Sequence, residues 1–181
     1  MNNQQKKYQI GIIGSAGNDD YNGAQGATSN MITEAERIGS LLAKNNVIVI
    51  TGGKSGIMEA GAKGAKEAGG QTVGVVKGTK RFTSNNFTDI EVISGMEADG
   101  FDELLLVNMC DALIVIGGGA GTLEEMAIAY RNKKPIIALT TQAGWAKELA
   151  GKFLDDRNTI KIETANDAEE AVDKALRLLA K

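Results

Sequence analysis

Histidine is absent from the chain, and cysteine and proline occur once each. Without histidine there is no Ser-His-Asp or Cys-His catalysis, no imidazole proton transfer and none of the usual zinc sites. A lone cysteine, Cys110, forms neither an internal disulfide nor a CxxC motif. It lies between Met109 and Asp111 before an apolar run and reads as a small buried filler thiol. Any chemistry therefore falls to carboxylates, hydroxyls, lysines, backbone dipoles or a bound ion. No run reaches the roughly 18 apolar residues of a membrane span, and the opening MNNQQKKYQI lacks the apolar stretch of a secretory leader. A cytoplasmic protein with no membrane contact is the expectation. Nor is there an excess of positive charge: 20 basic against 23 acidic side chains leave a net charge of −3. That balance argues against broad duplex nucleic-acid binding, which needs a basic face.

What is present suits one globular domain over residues 1–181, because 43% of the residues are apolar and the length supports a sizeable core. Short β-branched runs alternate with helical patterns. Strands are expected at Tyr8–Gly14, Val47–Thr51, Thr72–Val76, Ala112–Ile116, Pro135–Leu139 and Thr159–Ile162, with a shorter one at Ile90–Ile93. Most are continuously apolar, as in strands covered on both faces. Met31, Ala35, Ile38, Leu41 and Leu42 form one helical stripe, and Ala168, Ala171, Val172, Ala175, Leu176 and Leu179 another. Asn166, with Glu169 three residues on, reads as the N-cap and N3 pair of that last helix. The alternation predicts an α/β fold, a single doubly wound Rossmann-like domain whose mainly parallel sheet of six to seven strands carries helices on both faces.

Glycine clusters follow three strands at their carboxyl ends: Gly14-Ser15-Ala16-Gly17, Gly52-Gly53-Lys54-Ser55-Gly56 and Gly117-Gly118-Gly119-Ala120-Gly121-Thr122. With six main strands in the order 3-2-1-4-5-6, the first and third clusters face each other where strand order reverses, and the second lies beside them. Glycines let backbone N–H groups approach an anion, and a following helix adds its positive N-terminus. The expected ligand is a phosphorylated small molecule held by Gly14, Ser15, Ala16, Gly52, Gly53, Lys54, Ser55, Gly118, Gly119, Gly121 and Thr122. Two familiar fingerprints fail. The first loop reads GSAG rather than GxGxxG, and no acid ends the second strand. Gly53-Lys54-Ser55 resembles the end of a Walker A loop, but Ile48 stands where its first glycine belongs.

The segment GGGAGTLEE at Gly117–Glu125 resembles the PGGxGTxxE signature of the LOG family of nucleoside 5′-monophosphate phosphoribohydrolases (long labelled lysine decarboxylase-like) and their relatives in the SLOG superfamily. The likeness continues through TGGKSGIMEAGAKGAKEAGGQTVGVV at Thr51–Val76, which looks especially like the molybdenum-cofactor carrier proteins, and through Ser94-Gly95-Met96, Asp111-Ala112 and Lys134-Pro135. It implies a bound nucleotide or molybdenum cofactor, a homodimer or homotetramer, and Glu125 as the working carboxylate if the chain is an enzyme. Two departures weaken the hydrolase. Gly117 replaces the signature's proline, and Asp102 stands where the family's arginine belongs. No lysine or arginine occurs from Phe82 to Tyr130, while nine acids do. Two functions therefore compete: a binding or carrier module, and a phosphoribohydrolase releasing free base and ribose 5-phosphate.

Several residues carry two readings. Thr122 and Glu125 also fit a Thr-x-x-Glu capping box, and Glu124 reads as a solvated first-turn acid. Glu97, Asp99, Asp102 and Glu103 form either an acid-rich, solvated helix start or a negative wall that attracts a metal ion or a cationic ligand group. Lys77, Lys80 and Arg81 are a solvated loop or further positive charge for a phosphate. Trp145 belongs to the core or an interface, or stacks on a base. The Ala-rich stretch Met58–Ala68 offers small residues for an oligomer contact. No metal ligands are assigned.

Overall fold

The computed structural model describes residues 6–17 and 26–180. The leader reading rests partly on Met1–Gln5, outside that range. Among the described residues seven parallel strands and six helices follow one another: β1 Gln9–Gly14, α1 Ser29–Lys44, β2 Ile48–Thr51, α2 Ile57–Glu67, β3 Thr72–Val76, β4 Ile90–Ile93, α3 Phe101–Met109, β5 Ala112–Ile116, α4 Ala120–Arg131, β6 Ile136–Leu139, α5 Trp145–Leu149, β7 Glu163–Ala165 and α6 Ala168–Leu179. They form one sheet in the order β4-β3-β2-β1-β5-β6-β7. The expected order is present for five of the six main strands, with Glu163–Ala165 in the place expected for Thr159–Ile162 and Ile90–Ile93 added at the edge beside β3. β1 and β5 pair in register from Ile10↔Ala112 to Gly14↔Ile116, which puts the reversal point between the first and third glycine loops.

Two apolar layers sandwich the sheet, because the wholly buried strands alternate their side chains between faces. Ile10, Ile12, Val49, Ile114 and Ile116 pack beneath α1, α2 and α6, while Ile13, Ile50, Val75, Leu113 and Val115 pack beneath α3, α4 and α5. Cys110 belongs to the second layer as expected: it is buried, its Sγ donates to the Leu106 carbonyl at 3.2 Å, and burial pushes its thiol pKa upward. It fills space left by Gly11, where a Cβ would lie 2.8 Å from the sulfur.

Three sequence expectations are corrected. Thr159–Ile162 is not a strand, and β7 is Glu163–Ala165. The Ile162 N–H and carbonyl bond instead to Lys152 and Gly151, while Thr159 N–H donates to the Tyr130 hydroxyl. Its apolar pattern reflects Ile162 entering the core rather than a place in the sheet. The cap of α6 lies one residue later than expected: Asp167 accepts from the Glu170 N–H at 2.8 Å, and Glu170 in turn accepts from the Asn166 N–H at 2.8 Å. The small residues of α2 are consumed within the fold. A Cβ on Gly39 would lie 2.0 Å from the Gly61 carbonyl oxygen, and one on Gly64 would lie 1.9 Å from that of Glu36. α1 and α2 thus cross at backbone contact, and the glycines at that crossing serve the packing of one chain.

Candidate functional site

The loops beyond β1, β2 and β5 interlock through their main chains before any ligand is considered. Gly14 ends β1 with φ +146°, and a Cβ there would lie 1.9 Å from the Ile116 carbonyl oxygen, an approach open only to glycine. The Ser15 N–H donates to that same oxygen at 3.1 Å, and the Ser15 hydroxyl accepts from the Gly118 N–H at 2.9 Å. Ser55 Oγ accepts from the Gly17 N–H at 3.1 Å, tying the second loop to the first. Thr51 Oγ1 accepts from the Gly53 N–H at 3.1 Å.

This interlock divides the expected phosphate residues. Gly14, Ala16, Gly52, Lys54, Gly119, Gly121 and Thr122 line one cavity of about 310 Å³, together with Glu125. Ser15 and Gly118 line a neighbouring cavity, also about 310 Å³, beside Thr28 and Gln142. Gly53 and Ser55 line neither of the two; Gly53 sits against Val76 and Ser84, and Ser55 holds the first loop. The first cavity also has an apolar side of Met58, Val75 and Leu106, which the sequence reading missed. Met58 carried a usable signal, since it lies in the first turn of the helix that follows a glycine loop.

The third loop delivers a helix end to the cavity. α4 begins at Ala120 with Gly119 as N-cap, so the first-turn N–H groups of Ala120, Gly121 and Thr122 have no acceptor within the helix. The helix dipole adds partial positive charge there. Thr122 is therefore already in the third helical position, which rules out its role as the N-cap of a Thr-x-x-Glu box. The helix starts earlier because Gly119 supplies an extended N-cap with φ −103° and ψ −151°. Thr122 is buried, packed under Gly118, where a Cβ would lie 2.4 Å from its methyl group.

Released from capping, Glu125 projects from α4 into the cavity wall, half-buried. Burial raises its pKa to about 8; the neighbouring Glu103, Asp102 and Glu124 carboxylates add to the rise and Lys54 opposes it. At neutral pH Glu125 is thus mainly a carboxylic acid with an O–H to donate. Asp102 and Glu103, from the start of α3, line the same cavity. Glu103 accepts from the Gly100 N–H at 3.0 Å, yet burial and the adjacent Asp102 carboxyl raise its pKa. Asp102 Oδ1 is sealed from solvent and has no hydrogen-bond partner. Asp102 and Glu103 therefore stand together on one wall of this cavity. Glu97 and Asp99 stand elsewhere: Glu97 lines the basic pocket described next, and Asp99 pairs with Lys77. Among the described residues, no group of three or more Asp, Glu, Cys or His side chains is arranged to hold a metal ion.

Positive charge enters from the other side. Lys54 lines the main cavity and also an adjoining pocket of about 250 Å³, shared with Lys77 and Lys80. The loop bearing these residues is strapped down by Glu91, which accepts from the N–H groups of Phe82, Thr83 and Ser84. Burial works against ionisation of Glu91, but the three N–H donors outweigh it and hold the pKa at about 2. The strap keeps Phe82 in the left-handed region at φ +63°, with the Arg81 guanidinium 4.9 Å from its ring centre. Trp145 is not a core residue: it is 37% exposed, and its backbone N–H donates to the Gly118 carbonyl at 3.1 Å.

The SLOG cluster4 family matches residues 7–172. The chain belongs to that family. An uncharacterized protein of Archaeoglobus fulgidus is 37% identical over 134 residues, which cover 74% of this chain and 81% of that protein. The molybdenum cofactor carrier protein of Chlamydomonas reinhardtii is 32% identical with a TM-score of 0.81, covering 97% of this chain and 100% of that one. The molybdenum cofactor binding protein of the phototrophic bacterium Rippkaea orientalis is 28% identical with a TM-score of 0.81, covering 97% and 99%. The resemblance read from GGGAGTLEE and the Thr51–Val76 stretch is thus borne out at the level of family and fold.

Proposed function

We propose that this SLOG cluster4 protein binds and carries a phosphorylated small molecule, a molybdenum cofactor or a nucleotide, in the cavity beyond β1, β2 and β5. The observation that carries the reading is the rim of first-turn N–H groups at Ala120, Gly121 and Thr122 facing a space shared with Lys54. Main-chain amides and a helix dipole hold a phosphate without a cluster of cationic side chains. The likeness to two molybdenum cofactor proteins over nearly the whole chain supports a small-molecule binding or carrier role. As cargo, that cofactor would place its phosphate at this rim and its ring system along Met58, Val75 and Leu106.

The competing reading is a phosphoribohydrolase with Glu125 at its centre. One feature favours it: a carboxylic acid that keeps its proton at neutrality suits protonation of a departing base. Against it stands Asp102, which brings negative charge to the place where the resemblance calls for an arginine.

Mass spectrometry of small molecules released from the purified protein tests the proposal, paired with an assay for adenine release from AMP. The carrier reading expects a retained phosphate ester and no adenine. Adenine release that disappears in Glu125→Ala would make the protein a hydrolase.

A further inference from the structure

The neighbouring cavity of about 310 Å³ meets the main one at Gly119, which lines both. Its chemistry is different. Lys54, Asp102, Glu103 and Glu125 line the main cavity, whereas none of the described residues lining the second is ionisable. Two helix starts reach it instead. Thr28 is the N-cap of the 16-residue α1 and Gly119 that of the 12-residue α4, and both line the cavity. Each helix brings first-turn N–H groups without intrahelical acceptors and the positive end of its dipole.

An independent feature comes from the loop between β6 and α5. Gln142 lines the cavity at only 8% exposure, and its side chain has no hydrogen-bond partner among the described residues. Asp102 Oδ1 is the one sealed, unpartnered side-chain atom among those residues, so the Gln142 amide stays open to the cavity. An amide held there, with most of its residue withdrawn from water and no protein partner, gains from a ligand atom.

Donor and acceptor counts say which kind of atom. Ser15 Oγ already accepts from the Gly118 N–H at 2.9 Å, and Thr28 Oγ1 from the Met31 N–H at 3.3 Å. Neither hydroxyl proton has an acceptor among the described residues, so both remain to be donated. With the Gln142 NH₂ they make three side-chain donors between two positive helix ends. A group that only accepts and carries negative charge is the complement, and helix ends and neutral donors hold such a group without a lysine or arginine.

We propose that this cavity is a second oxyanion subsite, taking a tetrahedral group of the phosphate or sulfate class between Thr28, Ser15 and Gln142. It goes beyond the site at the α4 rim. Two sources share the chemistry: a second phosphate on the carried molecule, which rests on the phosphate-ester reading above, or a free ion, which does not.

Amide NMR of the isotope-labelled protein tests this with sulfate, AMP and ADP as probes. Sulfate is expected to shift the Gln142 side-chain amide and the Thr28 backbone amide in a saturable way. Gln142→Leu is expected to weaken that binding about tenfold, the worth of one hydrogen bond to a charged group. ADP binding at least tenfold more tightly than AMP, with the gain lost in Gln142→Leu, supports a second phosphate of the carried molecule. Equal binding of ADP and AMP beside an intact sulfate response supports a free ion. A response confined to Lys54 and Thr122 overturns the second subsite and leaves the phosphate rim standing. A Gln142 response with none at Thr122 does the reverse, and silence at both overturns both. Should Gln142→Leu fail to fold, the wild-type Gln142 side-chain signal decides alone.

Discussion

The two helical layers flanking the sheet are built to different standards. Under α1 and α2 the packing is so close that glycines replace side chains at the crossing, and Gly39 and Gly64 each lie where a Cβ would strike a carbonyl oxygen. Across the sheet, α3 and α4 bring Asp102, Glu103 and Glu125 into one cavity, with one carboxylate oxygen unpartnered and two of the acids resisting ionisation. One layer is optimised for contact; the other keeps unfavourable electrostatics in place. Proteins concentrate such local conflict where they bind or react, and the packed layer compensates for it.

The most forceful way to break this contrast is Gly64→Ala. Its new methyl would sit 1.9 Å from the Glu36 carbonyl oxygen, so α1 and α2 must separate. A loss on the order of 3 kcal/mol is expected in urea denaturation.

Glu125→Gln sharpens the other side, with the opposite sign. A glutamate whose pKa rises from 4.5 unfolded to about 8 folded makes the native state bind more protons, so stability falls as pH climbs between those values. The amide variant does not titrate. It should match the wild type near pH 4 and exceed it by ~2 kcal/mol at pH 9, less than the full shift implies because solvent screens a half-buried group, read from thermal melts across pH.

Glu91→Gln probes the strap on the basic loop. The Glu91 pKa is lowered to about 2, so its contribution is complete above about 4.5 and is lost as pH falls toward 2. Because the strap is close to solvent, the expected loss at pH 7 is only ~0.5–1 kcal/mol, accompanied by faster amide exchange at Phe82, Thr83 and Ser84. Smallest is Phe82→Gly. Relief of the left-handed backbone at φ +63° is offset by glycine's greater unfolded freedom, for a net gain of roughly 0.5 kcal/mol in denaturant titration.

The strands β1, β2, β3, β5 and β6 were legible because short, continuously apolar runs rich in β-branched residues have one easy interpretation in a parallel sheet. β7 was not, since Thr159–Ile162 has the better strand pattern but its backbone partners are Lys152 and Gly151. The site was partly legible. Gly14, Gly52, Lys54, Gly119 and Glu125 converge as expected, whereas Ser15, Gly53, Ser55 and Gly118 have neighbouring loops as partners. A glycine required by a touching carbonyl and one required by a ligand look alike in one dimension. The capping-box reading of Thr122 and Glu125 failed for a related reason: the pattern is local, and Gly119 had already begun the helix.

By itself the sequence determined the class of fold, the family likeness and the kinds of chemistry open to a chain with no histidine and one cysteine. These depend on residue type and short-range periodicity, which survive in any conformation. Tertiary structure alone decided which glycines serve the fold, which carboxylates share a cavity and which of them keeps its proton. Those properties arise from distance and exclusion of water between residues far apart in the chain, as Lys54, Asp102 and Glu125 are.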